Sequence, residues 1–383
     1  MIFCVGLAVL LSLFYSRQFI LSAKAWKSLP KVEITEKAEN HKFSLVVAMR
    51  NESENVLQLL DSLFSLNYPK SAFELILVDD FSDDDSVEKA RNYILTKGEQ
   101  KNMKVVSMEN SPVKSTSGYK KQALSYGVSM AQYSWIVTSD ADCLHDSDYL
   151  KILSAFIGEK SLKMIALPVE LSPTKSLFEK MQALEFSGLI GLAGSYIQRQ
   201  KPFLCNGANL AFDKSTFLEL NGYQEIDHQE SGDDVWLMQK IEQKFPGQMA
   251  FGAHSSLIVK TKPCENLAAF INQRKRWTAK NDSYTDRFQL ATLSLDYLFY
   301  LMAVGSVLLG IVDLQWLGIP LLMLAVKFLM EVYFYKTLQN RLPISNWFLI
   351  YVLAFFPQII YVILIYPLSK FSSFNWKNRR FNA

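Results

Sequence analysis

The chain has 383 residues, half of them hydrophobic, and its 40 basic against 37 acidic side chains leave a formal net charge of +3. Such a balance gives no global field for a polyanion, so no nucleic-acid partner is expected, and the length leaves room for one large domain plus appendages. The four scattered cysteines, Cys4, Cys143, Cys205 and Cys264, lack C-x-x-C spacing and point to neither a zinc site nor a disulfide framework.

Residues 2–15 are almost wholly apolar, and Phe19 to Ala23 extend the run, so residues 1–23 read as a transmembrane anchor. A cleavable signal peptide is the rival reading, but the start lacks positive charge and a small-x-small cleavage site. Lys24, Lys27 and Lys31 follow the run, and the positive-inside rule puts that side in the cytoplasm. Residues 24–41 are charged and aperiodic, a linker.

A regular alternation begins at Phe43. Strands are predicted over Phe43–Met49, Phe73–Val78, Met103–Ser107 and Trp135–Thr138. Helices are predicted over Glu52–Leu66, Asp84–Leu95 and Lys120–Ala131. Such alternation implies an α/β fold with a mostly parallel sheet. Polar groups collect just after three of the strands: Arg50-Asn51-Glu52, Asp79-Asp80-Phe81-Ser82-Asp83, and Asp140-Ala141-Asp142. No G-x-G-x-x-G follows the first strand and no G-x-x-x-x-G-K-[ST] is present, which disfavours a dinucleotide enzyme and a P-loop. A nucleotide site built from carboxylates remains.

The run Trp135–Val137 is a short buried strand that ends in two carboxylates, Asp140 and Asp142, one residue apart. Ligands of open α/β sheets gather outside the carboxyl ends of the strands. Hard oxygen donors there suit Mg2+ or Mn2+ that also grips phosphate oxygens; a turn or capping role is the alternative for so short a motif.

Farther on, Ser176–Ile197 reads as a helix whose apolar part, from Phe186, is too short to span a bilayer and is expected at the membrane interface or packed on the domain. A small-residue turn follows at Cys205-Asn206-Gly207-Ala208-Asn209-Leu210, then Glu230-Ser231-Gly232-Asp233-Asp234 opening a helix over Val235–Gln243, then Gln273-Arg274-Lys275-Arg276-Trp277. Within residues 290–370, the runs Leu290–Val312, Leu314–Tyr335 and Trp347–Leu368 approach or exceed the roughly 20 residues that a spanning helix needs. Pro357 and Pro367 suit a re-entrant or interfacial last segment instead, and the span count stays open. Three spans beyond a cytoplasmic domain would put Lys336 and Arg341 inside but the basic tail, residues 371–383, outside, against the charge rule. Lys327 and Glu331, four residues apart within one run, suit a pair that joins helices rather than a transport path.

In this order, Val46-Val47-Ala48-Met49-Arg50-Asn51-Glu52, Asp79-Asp80, Asp140-Ala141-Asp142, Gly232-Asp233-Asp234 and Gln273-Arg274-Lys275-Arg276-Trp277 resemble the motifs of family 2 glycosyltransferases, in their membrane-bound branch. The resemblance implies a GT-A fold over residues 42–285, a nucleotide-sugar donor and inversion at the anomeric carbon. It implies donor contacts from Asp79, Asp80, Glu52, Lys120, Asp140 and Arg276. Asp142, with Asp140, would hold Mg2+ or Mn2+, and Asp234 would be the general base, with Asp233 standing where the family has glutamate. Gln273 and Trp277, from Q-x-x-R-W, are expected at the acceptor, as are Asn206 and Asn209 of the small-residue turn. A carboxylate suits ribose and base N–H groups, an arginine clamps diphosphate oxygens, and a carboxylate base takes the acceptor's proton.

The expected protein is therefore an integral membrane enzyme of the plasma or inner membrane with its catalytic domain in the cytoplasm. It would pass a sugar, from UDP in the first instance, to a lipid-linked or polysaccharide acceptor. A processive synthase and a catalytically silent membrane scaffold are the alternatives.

Overall fold

The computed structural model describes residues 1–32, 41–98, 101–111, 118–158, 160–224, 232–279 and 286–371, with the backbone of 374–376 and 379–381. Much of the expected linker, Glu230 and Ser231 of the fourth motif, and the side chains of the basic tail from residue 372 lie outside the described residues. In chain order the elements are α1 (Ile2–Lys27), β1 (Phe43–Met49), α2 (Val56–Phe64), β2 (Phe73–Asp79), α3 (Ser86–Lys97), β3 (Met103–Ser107), α4 (Tyr119–Met130), β4 (Trp135–Asp140), α5 (Tyr149–Ile157), β5 (Met164–Ala166), β6 (Val169–Leu171), α6 (Leu177–Gln198), β7 (Asn209–Asp213), α7 (Lys214–Glu219), α8 (Asp233–Lys244), β8 (Met249–Phe251), β9 (Val259–Thr261), α9 (Leu267–Ala279), α10 (Arg287–Val312), α11 (Gly318–Leu338) and α12 (Trp347–Phe371). They form two units, Leu29–Thr174 with Leu192–Pro263, and Met1–Ser28 with Lys175–Gly191 and Cys264–Ala383. The stretch expected as one domain over 42–285 thus divides, with residues 175–191 and those from Cys264 onward grouped with the apolar helices.

In the first unit every residue of β2 and all but one of β1 are buried, as runs apolar on both faces require inside a parallel sheet. The seven strands stand in the order β3-β2-β1-β4-β7-β5-β8. The first four are parallel, and β7 inserts antiparallel between β4 and β5. The chain steps outward from β1 to β2 and β3, then returns to the other side of β1 as β4. Strand order reverses beside β1, and the crevice outside the strand ends at such a reversal is where ligands of open sheets bind. Gly127 lets α4 lie close on this part of the sheet, since a Cβ there would come within 2.4 Å of Val46. A small second sheet pairs β6 with β9 in parallel.

One boundary differs from expectation in an informative way. Residues 52–55 do not open α2; Asn51 takes a positive φ of 52° and the Glu52 amide donates to Ser86 Oγ at 2.7 Å, so helix begins only at Val56. The missing turn is used to tie the loop after β1 to the loop after β2.

In the second unit α1, α10, α12 and the stretch Leu314–Leu338 that contains α11 are long and apolar enough to cross a membrane. Their polar residues meet inside the bundle. Glu331 accepts from Lys327 Nζ at 2.6 Å and from the Tyr15 hydroxyl of α1 at 2.5 Å, while Lys327 also donates to Gln358 of α12 at 2.9 Å. Pairing of this kind is what allows charges in an apolar helix bundle. The last apolar segment is one helix: α12 runs 25 residues with Pro357 and Pro367 both inside it. In α6, Gly188 and Gly191 face Tyr335 and Leu338 of α11, and a Cβ at either would approach them to 2.7 and 2.6 Å. Small residues bring apolar helices together in this way.

Candidate active site

Parallel register sets the first half of the site. Met49 pairs with Asp79 and Ala48 with Asp140, so the ends of β2, β1 and β4 finish side by side at one sheet edge. The loops there are knitted together by backbone-directed bonds. Arg50 Nη1 donates to the carbonyls of Asp80 and Phe81, each at 2.7 Å, and the Ser82 amide donates to Asp79 Oδ1 at 3.1 Å. Asp79, Asp80 and Glu52 are all buried in this platform, with Asn55 Nδ2 donating to Glu52 Oε2 at 2.8 Å. Asp84 takes both the amide and the hydroxyl of Ser86 just before α3, a local capping role.

Next to the platform stands the aspartate pair. Lys120 Nζ, near the start of α4, meets Asp140 Oδ1 at 2.5 Å. Asp142 Oδ2 accepts from Thr261 Oγ1 at 2.9 Å, Thr261 being the last residue of β9, which a backbone bridge between Leu144 and Lys260 holds against the loop after β4. Burial, followed by the charges of Asp140 and Glu52, pushes the Asp142 carboxyl above the usual carboxylate range, although Thr261 works the other way. Carboxylates that repel one another in a half-enclosed loop are stabilised by a cation, and their hard oxygens match Mg2+ or Mn2+. The chemistry of Asp142 and Asp140 therefore fits the divalent ion expected from the sequence, which these two would hold. Sequence reading missed Thr261, because a lone threonine 119 residues away carries no pattern.

The second half of the site reaches the first through β7. Ser139 pairs with Asn209, and Thr138 Oγ1 donates to the Gly207 carbonyl at 3.1 Å. On its other side the Gly207 amide donates to Asp234 Oδ2 at 3.2 Å. Asp234 Oδ1 accepts from the Val235 amide at 2.8 Å, so both oxygens of this carboxylate are oriented at the head of α8. Asp233 and Asp234 are each 9% exposed, and Tyr223 lies buried beside them, its hydroxyl held protonated first by burial and then by their charges. Gly207 lies close to the pair: a Cβ there would sit 3.3 Å from Asp233 Oδ2 and 3.4 Å from Asp234 Cβ.

The two asparagines of the turn have separate fates. Asn206 Oδ1 takes the Ala208 amide at 3.0 Å and shapes the turn, and its residue remains partly exposed. Asn209, expected at the acceptor, is instead fully buried. Its Oδ1 accepts from the Tyr149 hydroxyl at 2.6 Å and its Nδ2 donates to the carbonyls of Pro168 and Leu257. Those bonds use its whole amide, so Asn209 is a strut under the site. His145, three residues after Asp142, is also buried, packed edge-on to Tyr149, and burial lowers its pKa to about 4. The Cys143 thiol is buried and pushed up, which makes it a poor nucleophile.

Gln273, Arg276 and Trp277 belong to the other unit, on α9, and all three are partly exposed. Between them Arg274 is buried, with Nη2 on Glu185 Oε2 at 2.5 Å and Nη1 on Gln273 Oε1 at 2.7 Å. Its guanidinium carbon lies 4.2 Å from the centre of the Trp277 ring, which also packs on Phe186.

The model of the glycosyl transferase family group 2 matches residues 135–374, more than half of the chain, and that of glycosyl transferase family 2 matches residues 44–217. The chain belongs to glycosyltransferase family 2. Among relatives of this glycosyltransferase, the poly-beta-1,6-N-acetyl-D-glucosamine synthase of Staphylococcus epidermidis is 28% identical over 39% of the chain and 33% of that protein. The poly(ribitol-phosphate) beta-N-acetylglucosaminyltransferase TarS of Staphylococcus aureus is 31% identical over 31% of the chain and 19% of that protein. The chain thus spans only a minor part of these curated relatives in the matched region. Among solved structures, a mannosyltransferase of Pyrobaculum calidifontis, in complex with GDP-Man and Mn2+, superposes with a TM-score of 0.55 at 15% identity, covering 92% of the chain and 99% of its own. The fold of the glycosyltransferase is GT-A, as its mostly parallel sheet implied.

Proposed function

We propose that the chain moves a sugar from a nucleoside-diphosphate sugar, a UDP-sugar in the first instance, to a hydroxyl of a lipid-linked or glycan acceptor, inverting the anomeric carbon. One observation carries the reading. Gly207 is bonded through its carbonyl to Thr138, two residues before Asp140, and through its amide to Asp234, so two acidic centres lie on either side of one glycine. A metal-bound leaving group and an acceptor base are wanted on opposite sides of a reacting carbon, and acidic groups on the two sides of Gly207 support that reading.

In this reading Asp79, Asp80 and Glu52 form the nucleoside platform, with Lys120 beside Asp140. Asp142 and Asp140 hold Mg2+ or Mn2+, which when bound neutralises the departing diphosphate. Asp234, oriented by Gly207 and Val235, takes the proton of the attacking hydroxyl. Arg276 clamps the diphosphate, and Gln273, Trp277 and Asn206 face the acceptor. The relatives named as a poly-beta-1,6-N-acetyl-D-glucosamine synthase and a poly(ribitol-phosphate) beta-N-acetylglucosaminyltransferase support a polymeric glycan or polyol-phosphate acceptor, and the Mn2+ complex of the mannosyltransferase supports the metal. Four apolar helices support an integral membrane protein, and Lys24, Lys27 and Lys31 after the first apolar run support a catalytic unit on the cytoplasmic side, where nucleotide sugars are made.

The test is nucleotide release by protein in nanodiscs from a panel of UDP- and GDP-sugars with Mn2+ or Mg2+. Metal-dependent release that disappears in Asp142→Asn is the expected outcome. A wild-type protein that neither binds nor turns over any donor would sink the reading and leave a membrane scaffold.

A further inference from the structure

The sequence reading left Arg274 as one of two unassigned letters inside Q-x-x-R-W, yet its side chain is only 2% exposed. A guanidinium so deep needs partners in place of water. Those partners divide into two sets. One belongs to the scaffold: Glu185 of α6 at 2.5 Å, the Phe270 ring, 4.6 Å from the guanidinium carbon, and the Tyr361 hydroxyl of α12. The other set consists of motif residues: Gln273 Oε1 at 2.7 Å and the Trp277 ring at 4.2 Å.

The helical spacing explains how one side chain reaches all of them. Residues 270, 274 and 277 lie on one face of α9, and that face packs on a matching stripe of α6. Phe178 meets Phe270, Gln182 exchanges two bonds with the Cys264 backbone, Glu185 meets Arg274, and Phe186 meets Trp277. Arg274 sits in the middle of this seam. By accepting from Arg274, the Gln273 carbonyl oxygen is turned inward, which leaves the amide NH2 free to turn outward as a donor. With the guanidinium against the ring and Phe186 packed beside it, Trp277 has its plane fixed while the residue stays partly exposed.

We infer that Arg274 is a positioning residue, holding the Gln273 amide and the Trp277 ring in the orientation in which they meet the acceptor. This rests on the proposed transfer reaction, in which those two side chains serve the acceptor. The planar fork matters as much as the charge, because one guanidinium serves Glu185 and Gln273 through different nitrogens while stacking on Trp277. A lysine ammonium is a point donor and cannot do all three.

The experiment measures incorporation of radiolabel from UDP-N-acetylglucosamine with Mn2+ into lipid-extractable and polymeric material, in membranes that contain the full chain. Arg274→Lys is expected to lower kcat by about 100-fold, the scale of an ångström of misplacement, with the apparent KM for the donor unchanged. The exchanged pair Arg274→Glu with Glu185→Arg keeps the ion pair but gives Gln273 no donor and Trp277 no cation. Its melting temperature should return to that of wild type while its activity stays low. Arg274→Lys at wild-type rate, or an exchanged pair that recovers its rate along with its stability, would overturn the inference and leave a plain helix clamp. If wild type incorporates no label and releases no UDP, the proposed reaction fails for this donor, an outcome distinct from either variant result.

Discussion

Gly207 and Asp234 are joined by a hydrogen bond of 3.2 Å from the glycine amide to the carboxylate, and a side chain at 207 would fit only tightly against Asp233 and Asp234. The proposed base is thus aimed by a backbone group that a substitution can displace without touching any charged residue. Gly207→Ala should keep the fold and UDP binding, because the new Cβ meets Asp233 and Asp234 at 3.3 to 3.4 Å and needs only a small shift. The rate should fall at least about tenfold, given the sensitivity of catalysis to placement. Asp234→Asn, which removes the base itself, should cost about 10²–10⁴ in kcat. Steady-state kinetics beside UDP titration separates the two parameters.

Thr261 steadies Asp142 in its ionised form, against burial and the charges of Asp140 and Glu52. A metal needs the ionised form, so Mn2+ affinity should rise with pH through the raised Asp142 value. Thr261→Val should weaken Mn2+ by about tenfold, in keeping with one lost bond to a charged group, with the gap widening in acid. Without metal the sign is opposite for stability. The raised carboxyl binds a proton in the folded protein at a pH where the unfolded chain has lost it, so stability falls as pH rises through that value. Calorimetric titration of Mn2+ at several pH values checks the first expectation, and melting curves with and without Mn2+ check the second.

His145 predicts acid lability. Its pKa, lowered to about 4 by burial, lies below the ordinary histidine value of 6.5, so the unfolded chain binds a proton that the folded one refuses. Stability is complete above the unfolded value and declines as pH falls from about 6.5 towards 4, by about 3 kcal/mol over that window. His145→Phe, which keeps the ring against Tyr149, should flatten this part of the pH–melting curve.

Among the apolar helices, Lys327→Met should be more harmful than Lys327→Met combined with Glu331→Gln. The single change leaves a carboxylate buried beside Tyr15 and Tyr300 without its cation, a loss of about 3–5 kcal/mol for a broken buried pair. Removing both charges avoids that cost. Thermal aggregation in detergent ranks the variants; equal melting of the two would refute the pairing argument.

The sequence was most informative where long apolar runs meet abrupt polar ends. β1 and β3 have the predicted limits, and Asp79 and Asp140 are the final residues of β2 and β4, which the prediction ended one and two residues earlier. Strands β5 to β9 are three to five residues long, too short to display a period, so the antiparallel insertion of β7 could not be read from local pattern. The site residues that escaped notice, Thr261 and Arg274, are defined by distant partners, Asp142 and Glu185, rather than by neighbours in sequence. Asn209 was misread for the same reason: beside a glycine turn an asparagine looks available, and only its bonds to Tyr149, Pro168 and Leu257 reveal it as a strut.

The bond from Tyr15 to Glu331 spans 316 residues of chain. During synthesis α1 therefore leaves the ribosome long before the helices that satisfy it, and it must wait in the bilayer while the entire α/β unit is made. Its hydroxyl and the serines along the same face have only lipid, or an insertion factor, for company until α10 and α11 arrive. The buried polar cluster of the bundle therefore closes only once residue 331 has been made.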